Sequence, residues 1–312
     1  MRVVIALGGN AILRRGEPMT VANQRESIAR ACMPLARIAR EHELIVSHGN
    51  GPQVGLLALQ AAAYDDTSSY PFDVLGAQTE GMIGYLLEQE LGNRLGNDRA
   101  IATVLSRTVV DANDPAFSHP TKPVGPVYSE PEGAELAREH DWVVHRDGDG
   151  YRRVVPSPEP QRILEAASIG WLIERGAVVI CAGGGGIPVV EDGATGEIHG
   201  VEAVVDKDLA SAVLADELQA HRLVIATDVP AVIDGWGTGS AREIARAHPD
   251  DLDPEDFDDG SMGPKVGAAV RFASSGRGDA VIGSLDDIEG LFDGRAGTVV
   301  SGDASGISYR RS

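Results

Sequence analysis

The chain is almost without lysine. Of its 312 residues 27 are Lys or Arg, and lysine occurs only at Lys122, Lys207 and Lys265, so arginine supplies the rest. Basic charge as a whole is scarce, because 47 Asp and Glu leave a formal net charge of −20. That balance excludes the basic footprint on which nucleic-acid binding depends. It also opposes attraction to an anionic membrane surface. Cysteine is limited to Cys32 and Cys181, both in apolar stretches. Two cysteines cannot make a disulfide framework, and they are read as reduced thiols of a cytoplasmic protein. No apolar run approaches the roughly 18–20 residues of a membrane span. The opening MRVVIALGGNAIL runs straight into a strand-like stretch and a glycine turn, with no leader-like segment.

What is present is ordinary globular composition, 43% hydrophobic and 24% charged, which excludes wholesale disorder. The length suits one large α/β domain or two halves sharing a sheet. An acid-rich, lysine-poor composition fits a surface adapted to molar salt, where self-repulsion is screened within a few ångströms. A GC-rich genome favouring arginine codons is the alternative source of the same bias. The three lysines lie in PTKPVGP, VVDKDLAS and SMGPKVG, contexts of turns and strand–helix junctions rather than solvated helix faces. A compact ammonium on a flexible stem suits a moving phosphate charge.

Short apolar runs alternate with helix-period segments. Strands are expected at 3–7, 44–47, 100–104 (continued by Val109 and Val110), 177–182, 223–226, 280–282 and 298–300. Helices are expected at 20–41, 54–63, 73–96, 160–175, 207–219, 241–247, 264–274 and 285–292. The first has Thr20 or Asn23 as cap and should kink or divide at Pro34. Gly81 and Gly84 hint at close packing in the third. Residues 111–155 are rich in proline and charge and contain a hairpin at 142–153, so they are read as a lid or inserted subdomain. A second hairpin is expected at 189–200. The stretch 248–260 carries seven acids in thirteen residues and is read as a solvated surface loop. The repeating βα rhythm predicts an α/β fold, a mainly parallel sheet between helical layers, with ligands at the carboxyl ends of its strands.

Three glycine-rich turns each follow an expected strand: Gly8, Gly9 and Asn10; Gly49, Asn50 and Gly51; and Gly183 to Gly186. Consecutive glycines let backbone N–H groups converge on an anion. Three such turns with three isolated lysines point to a phosphate or other anion site. G-x-x-x-x-G-K-[ST] is absent, as is a G-x-G-x-x-G opening the first helix, which excludes a P-loop and disfavours a dinucleotide fold. There is no G-x-S-x-G elbow, and eight scattered histidines show no H-E-x-x-H or paired C-x-x-C. His48 is read as a packed or loop-bonding histidine. Asp206 and Asp208 flank Lys207; one of them could orient the lysines or hold Mg²⁺, or both are ordinary acids at a helix N-terminus.

In order along the chain, ALGGNAIL, IVSHGNGPQVG, FSHPTKPVGP, RRVVPSPEP, CAGGGGIPVV, GVEAVVDKDLAS and SMGPKVGAAVRF resemble the carbamate kinases of the amino acid kinase superfamily, over about residues 2–301. The resemblance implies a three-layer αβα sandwich on an open, mainly parallel sheet of about eight strands, with a small protruding lid at 111–155. It implies an N-terminal half, 1–205, for carbamate and the phosphoryl group, and a C-terminal half, 206–312, for ATP or ADP. It further implies a homodimer, Mg²⁺ carried on the nucleotide phosphates, and transfer between ATP and carbamate, usually run toward ATP in arginine breakdown through the deiminase pathway. By resemblance Lys122, Lys207, Lys265 and Asp208 are catalytic. Gly8, Gly9, Asn10, Gly49, Asn50, Gly51, Gly183 and Gly184 bind the phosphoryl group or carbamate. Lys207, Asp228, Met262 and Lys265 face the nucleotide. Pro34, the glycine of SMGPK and the acidic stretch after His248 depart from the family pattern.

Overall fold

The computed structural model describes residues 1–14, 16–64, 70–140, 142–258 and 261–310. In chain order its elements begin β1 (Arg2–Leu7), α1 (Val21–Glu41), β2 (Glu43–His48), α2 (Gly51–Tyr64) and α3 (Phe72–Leu95). There follow β3 (Ile101–Thr103), β4 (Arg107–Val110), β5 (Lys122–Tyr128), α4 (Glu130–His140), β6 (Val143–Asp147), β7 (Gly150–Val155), β8 (Pro160–Ile163) and α5 (Ala166–Glu174). The chain continues with β9 (Val178–Ile180), β10 (Ile187–Glu191), β11 (Ile198–Gly200), α6 (Lys207–Glu217), β12 (Arg222–Thr227), β13 (Ile233–Asp234) and β14 (Arg242–Ala247). It ends with α7 (Met262–Ser274), β15 (Asp279–Ser284), α8 (Ile288–Asp293), β16 (Thr298–Val300) and β17 (Ser308–Tyr309).

The uninterrupted apolar run of β1 is buried on both faces because the strand lies in mid-sheet. Val3, Ile5 and Leu7 pack with Ile28, Cys32 and Leu35 of α1 and Ile83 and Leu87 of α3. Val4 and Ala6 pack on the opposite face with Ala212 and Leu214 of α6 and Val266 and Phe272 of α7. The principal sheet runs β13-β14-β16-β15-β12-β1-β2-β9-β3, with β17 added to β14. The run from β15 to β3 is parallel throughout. β16 is antiparallel to β15, and β13 and β17 are antiparallel to β14. The sheet has ten strands where about eight were expected. The surplus comes from the short strands β13 and β17, which flank β14.

Four local expectations are corrected. The helix expected at 241–247 is instead the strand β14, Arg242–Ala247; Ile244 is buried there, and its carbonyl accepts from Thr298 Oγ1. The expected helix at 160–175 is a strand followed by a shorter helix, since Thr108 and Val109 of β4 pair with Ile163 and Arg162 of β8. Val109 and Val110 do not extend β3. The chain turns at Ser106, and β4 joins a four-stranded sheet of order β11-β10-β4-β8. α1 runs unbroken through Pro34, because burial of Ile28, Ala31, Cys32, Leu35 and Ala39 along the helix outweighs the lost backbone bond. Thr20 is its cap, accepting from the Asn23 amide at 3.2 Å.

Gly84 is needed where α3 crosses β3, since a Cβ there would lie 2.3 Å from Thr103, whereas Gly81 faces open space. The two expected hairpins are present, β6 with β7 and β10 with β11. β5, β7 and β6 make a three-stranded sheet. It seats on the body where β5 meets α2, with Gly55 and Gly125 backbone to backbone: a Cβ on Gly55 would fall 1.9 Å from Gly125 Cα. Arg153 of β7 lies between the rings of Phe72 and Trp142, 4.7 and 4.3 Å from their centroids. Asp141 lies outside the described residues, as do Asp259 and Gly260 of the acidic stretch. The rest of that stretch is pinned rather than merely solvated, by buried Leu252 and by Phe257 packed on the core.

Candidate active site

Because β1, β2, β9, β12 and β15 are parallel, their carboxyl ends share one edge, and the glycine turns follow three of them. The Gly8 amide donates to Ala226 O of β12 at 2.9 Å, and the Gly49 amide donates to Leu7 O of β1 at 3.0 Å. These bonds place the first turn beside the second. A Cβ on Gly49 would lie 3.4 Å from Gly9 N and 3.6 Å from Lys207 Cε. The third turn closes on the second from the other side. Gly184 has φ of +66°, and a Cβ there would lie 2.1 Å from the Asn50 amide group. Only glycine meets both conditions. Asn50 is buried and donates to Thr79 Oγ1 of α3 at 2.7 Å. Gly51 opens α2.

All three lysines converge on two aspartates at the start of α6. Lys122 Nζ lies 2.5 Å from Asp206 Oδ2, reaching in from β5. Lys207 Nζ lies 2.5 Å from Asp208 Oδ1, and Lys265 Nζ from α7 lies 3.3 Å from Asp208 Oδ2. Asp206 also caps α6, its Oδ1 accepting from the amides of Asp208 at 2.8 Å and Leu209 at 3.2 Å. Burial alone would push the Asp206 carboxyl up; Lys122 first, then Lys207 and Lys265, outweigh it and hold the carboxyl far below the usual carboxylate range. Lys207 is the most enclosed of the three, and burial, aided by Lys265, lowers its pKa against the pull of Asp208. Lys265 shifts upward, because Asp208 and Asp206 outweigh its lesser burial. Three ammonium groups against two carboxylates leave donor capacity for an incoming anion.

On the C-terminal side, Asn10 Nδ2 donates to Asp228 Oδ2 at 3.2 Å. Asp228 also borders a cavity of about 440 Å³ lined by Ile233, Trp236, Phe257 and Met262. Its apolar walls, rimmed by Asp228, Asp256 and Asp258, suit a flat heterocycle. The cavity joins Asp228 and Met262 to the site, and it is built partly by the acidic stretch. A cleft of about 690 Å³ also bordered by Asn10 and Asp228 is lined by Arg14, Arg30 and Arg37 together with Asp286, Asp287 and Glu289. Among the described residues no three acidic, imidazole or thiol side chains gather as a metal cage. Asp206 and Asp208 are committed to ammonium partners, so this donor set does not fit a resident metal.

Sequence reasoning left Asp206 among open alternatives and, although it expected the helix α3, singled out no site residue on it. Thr79 and Glu80 stand behind the second and third turns, and Glu80 is 2% exposed. The readable signal was an acid on the buried stripe of α3, beside Leu75, Ile83 and Leu87. His48 is a buried, loop-bonding residue as expected. Its Nδ1–H donates to Gly49 O at 3.2 Å, and burial lowers its pKa to about 4. Cys32 and Cys181 are free and buried.

Fold and site together define a class: an open α/β protein in whose cleft strand-end glycine turns meet convergent lysines. A sequence model of the amino acid kinase family matches residues 1–284. A carbamate kinase of Haemophilus influenzae is 55% identical over 309 residues, 99% of each chain. One of Rhizobium meliloti is 53% identical over 310 residues, covering 99% of this chain and 96% of that one. Among solved structures, carbamate kinase from Giardia lamblia bound to AMP-PNP superposes with a TM-score of 0.87 at 36% identity, covering 96% of this chain and 98% of that one. The chain belongs to the amino acid kinase family, and within it to the carbamate kinases.

Proposed function

We propose that the chain catalyses ATP + carbamate ⇌ ADP + carbamoyl phosphate by direct in-line transfer. The observation that carries this reading is the convergence of every lysine in the chain on Asp206 and Asp208, at the junction of the glycine turns. A carbamate oxygen bonds to the γ-phosphorus as the bond to the ADP oxygen breaks. Phosphoryl transfer asks for positioning and charge neutralisation rather than a protein nucleophile. Lys207 and Lys265 follow the charge on the phosphoryl group, Asp208 holds them apart and aimed, and Lys122 closes the site from β5. Gly8, Gly9, Asn10, Gly49, Asn50, Gly51, Gly183 and Gly184 present amides to carbamate and the phosphoryl oxygens. Asp228 and Met262 border the nucleotide. Mg²⁺ enters as the nucleotide complex, with phosphate oxygens as ligands.

In this reading residues 1–205 carry the acceptor side and 206–312 the nucleotide, the helices and sheet form a three-layer sandwich, and 111–155 act as a lid excluding water from two hydrolysis-prone species. The enzyme is a cytoplasmic homodimer, and the exposed Val74, Met82 and Tyr85 of α3 offer an apolar surface for it. Among the described residues no helix is long and apolar enough to cross a membrane. The net direction is toward ATP in arginine breakdown through the deiminase pathway, in a salt-adapted cell.

The test is ATP formation from ADP and carbamoyl phosphate in high KCl, run beside acetyl phosphate and UMP assays. Lys207→Ala and Lys265→Ala should each lower kcat by about 10²–10³, as loss of an oxyanion donor does. Turnover confined to acetyl phosphate or UMP would move the chain to another branch of the superfamily. ATP binding with no transfer would make it a sensor.

A further inference from the structure

Glu80 is used by nothing described so far, and its surroundings are unusual for an acid. Its Oε2 accepts from the Ser106 amide at 2.9 Å, while Oε1 is buried with no hydrogen-bond partner. Among the described residues no cation pairs with it. The charged group bearing on it is another acid, Glu165, itself paired with Arg107. The remaining titratable neighbours are His48 at the end of β2 and the Cys181 thiol, both buried. Above it lies the third glycine turn: a Cβ on Gly183 would fall 2.4 Å from the His48 ring and 3.1 Å from Glu80 Cγ. Ser106, whose amide Glu80 holds, accepts from the Ala182 amide through its Oγ at 2.9 Å. The next residue along α3, Thr79, holds Asn50 of the second turn.

We propose that Glu80 is a positioning residue for phosphoryl transfer: by bonding Ser106 and packing under Gly183 it sets the height of the third glycine turn against His48 and Asn50. It does so as the un-ionised acid. An ionised carboxylate at this depth, with Glu165 rather than a cation bearing on it, would carry a large desolvation cost. Burial pushes the Glu80 carboxyl well above the usual range, and the Ser106 and Gly183 amides, which favour the ionised form, do not overcome it. The inference rests on the reading of this cleft as the carbamoyl phosphate site.

The wild-type assay of ATP formation from ADP and carbamoyl phosphate is run first, because its failure removes the functional reading and leaves the protonation claim to be judged by spectroscopy alone. The infrared difference spectrum, wild type minus Glu80→Gln, should then contain a protonated-carboxyl stretch at neutral pH. Glu80→Gln keeps both the acceptor for Ser106 and the neutral charge, so kcat should stay within about threefold of wild type with an unchanged pH–rate profile. Glu80→Ala should lower kcat/KM for carbamoyl phosphate by roughly tenfold to a hundredfold with little change in the KM for ADP, since misplacement by about an ångström has effects of that order. Glutamine rescue and the split between the two substrates separate positioning from simple loss of stability. A carboxylate band in place of the acid band overturns the proposal even where Glu80→Ala does not fold. So does a Gln variant as slow as the Ala variant, or an Ala variant at wild-type rate.

Discussion

Glu80 and His48 are neighbours across Gly183 whose burial acts on their charges in opposite directions. His48 is pushed from 6.5 to about 4, so between those values the unfolded chain holds a proton that the folded one refuses, and stability falls as pH falls. Glu80 is raised well above 4.5, so from its raised value down to 4.5 the folded chain holds a proton that the unfolded one has released, and stability rises as pH falls. Where the windows overlap, each contributes about 1.4 kcal/mol per pH unit, with opposite sign. Urea denaturation should therefore show Glu80→Gln losing stability relative to wild type as pH is lowered toward 4.5, by up to that slope. Parallel curves for the two proteins would contradict it. Below about 3.8 Asp206 adds an acid loss of its own, because its folded pKa is depressed. The sequence reading singled out Lys122, Lys207 and Lys265 because the chain holds no others, and the structure brings them together. It passed over Glu80 on the apolar stripe of α3, since the importance of an acid on a helix face depends on what covers that face, here a turn more than a hundred residues later.

At the scale of elements, glycine and proline punctuation marked the turns well, while periodicity misled wherever a short segment served two patterns. AREIARA at 241–247 satisfies helical spacing, yet it alternates well enough to become β14 once β13, β16 and β17 offer partners. The break between β3 and β4 was not legible because valines lie on both sides of it, Val104 before and Val109 and Val110 after; it falls at Ser106, whose amide donates to Glu80. The seat of β5 on α2 was not legible, because it depends on two glycines far apart in sequence. Gly55→Ala tests that seat. Its methyl group would meet Gly125 backbone, so β5 must lift and draw Lys122 from Asp206. We expect kcat for ATP formation to fall at least about tenfold while Tm changes by only a few degrees. An unchanged rate would show that β5 accommodates the methyl group without moving its lysine.

For the whole molecule, a charge of −20 on 312 residues is a repulsive load that salt relieves. The Debye length shrinks from about 10 Å at 0.1 M to about 3 Å at 1 M, which decouples surface acids from one another. Tm should rise between dilute buffer and molar KCl, and a value indifferent to salt would leave the composition as codon bias alone. The α/β class and the glycine turns at the strand ends were legible from composition and local pattern. The strand order, with β12 from late in the chain lying beside β1, was not, because no local signal encodes which strands become neighbours. The scarcity of lysine has a practical consequence as well. An amine-acylating reagent meets three side chains on this molecule, all of them in one ion-pair cluster, with 32%, 12% and 15% of Lys122, Lys207 and Lys265 accessible. Apart from the α-amino group of exposed Met1, labelling would thus be confined to the cleft, and protection by a bound nucleotide could be read as a drop in added mass.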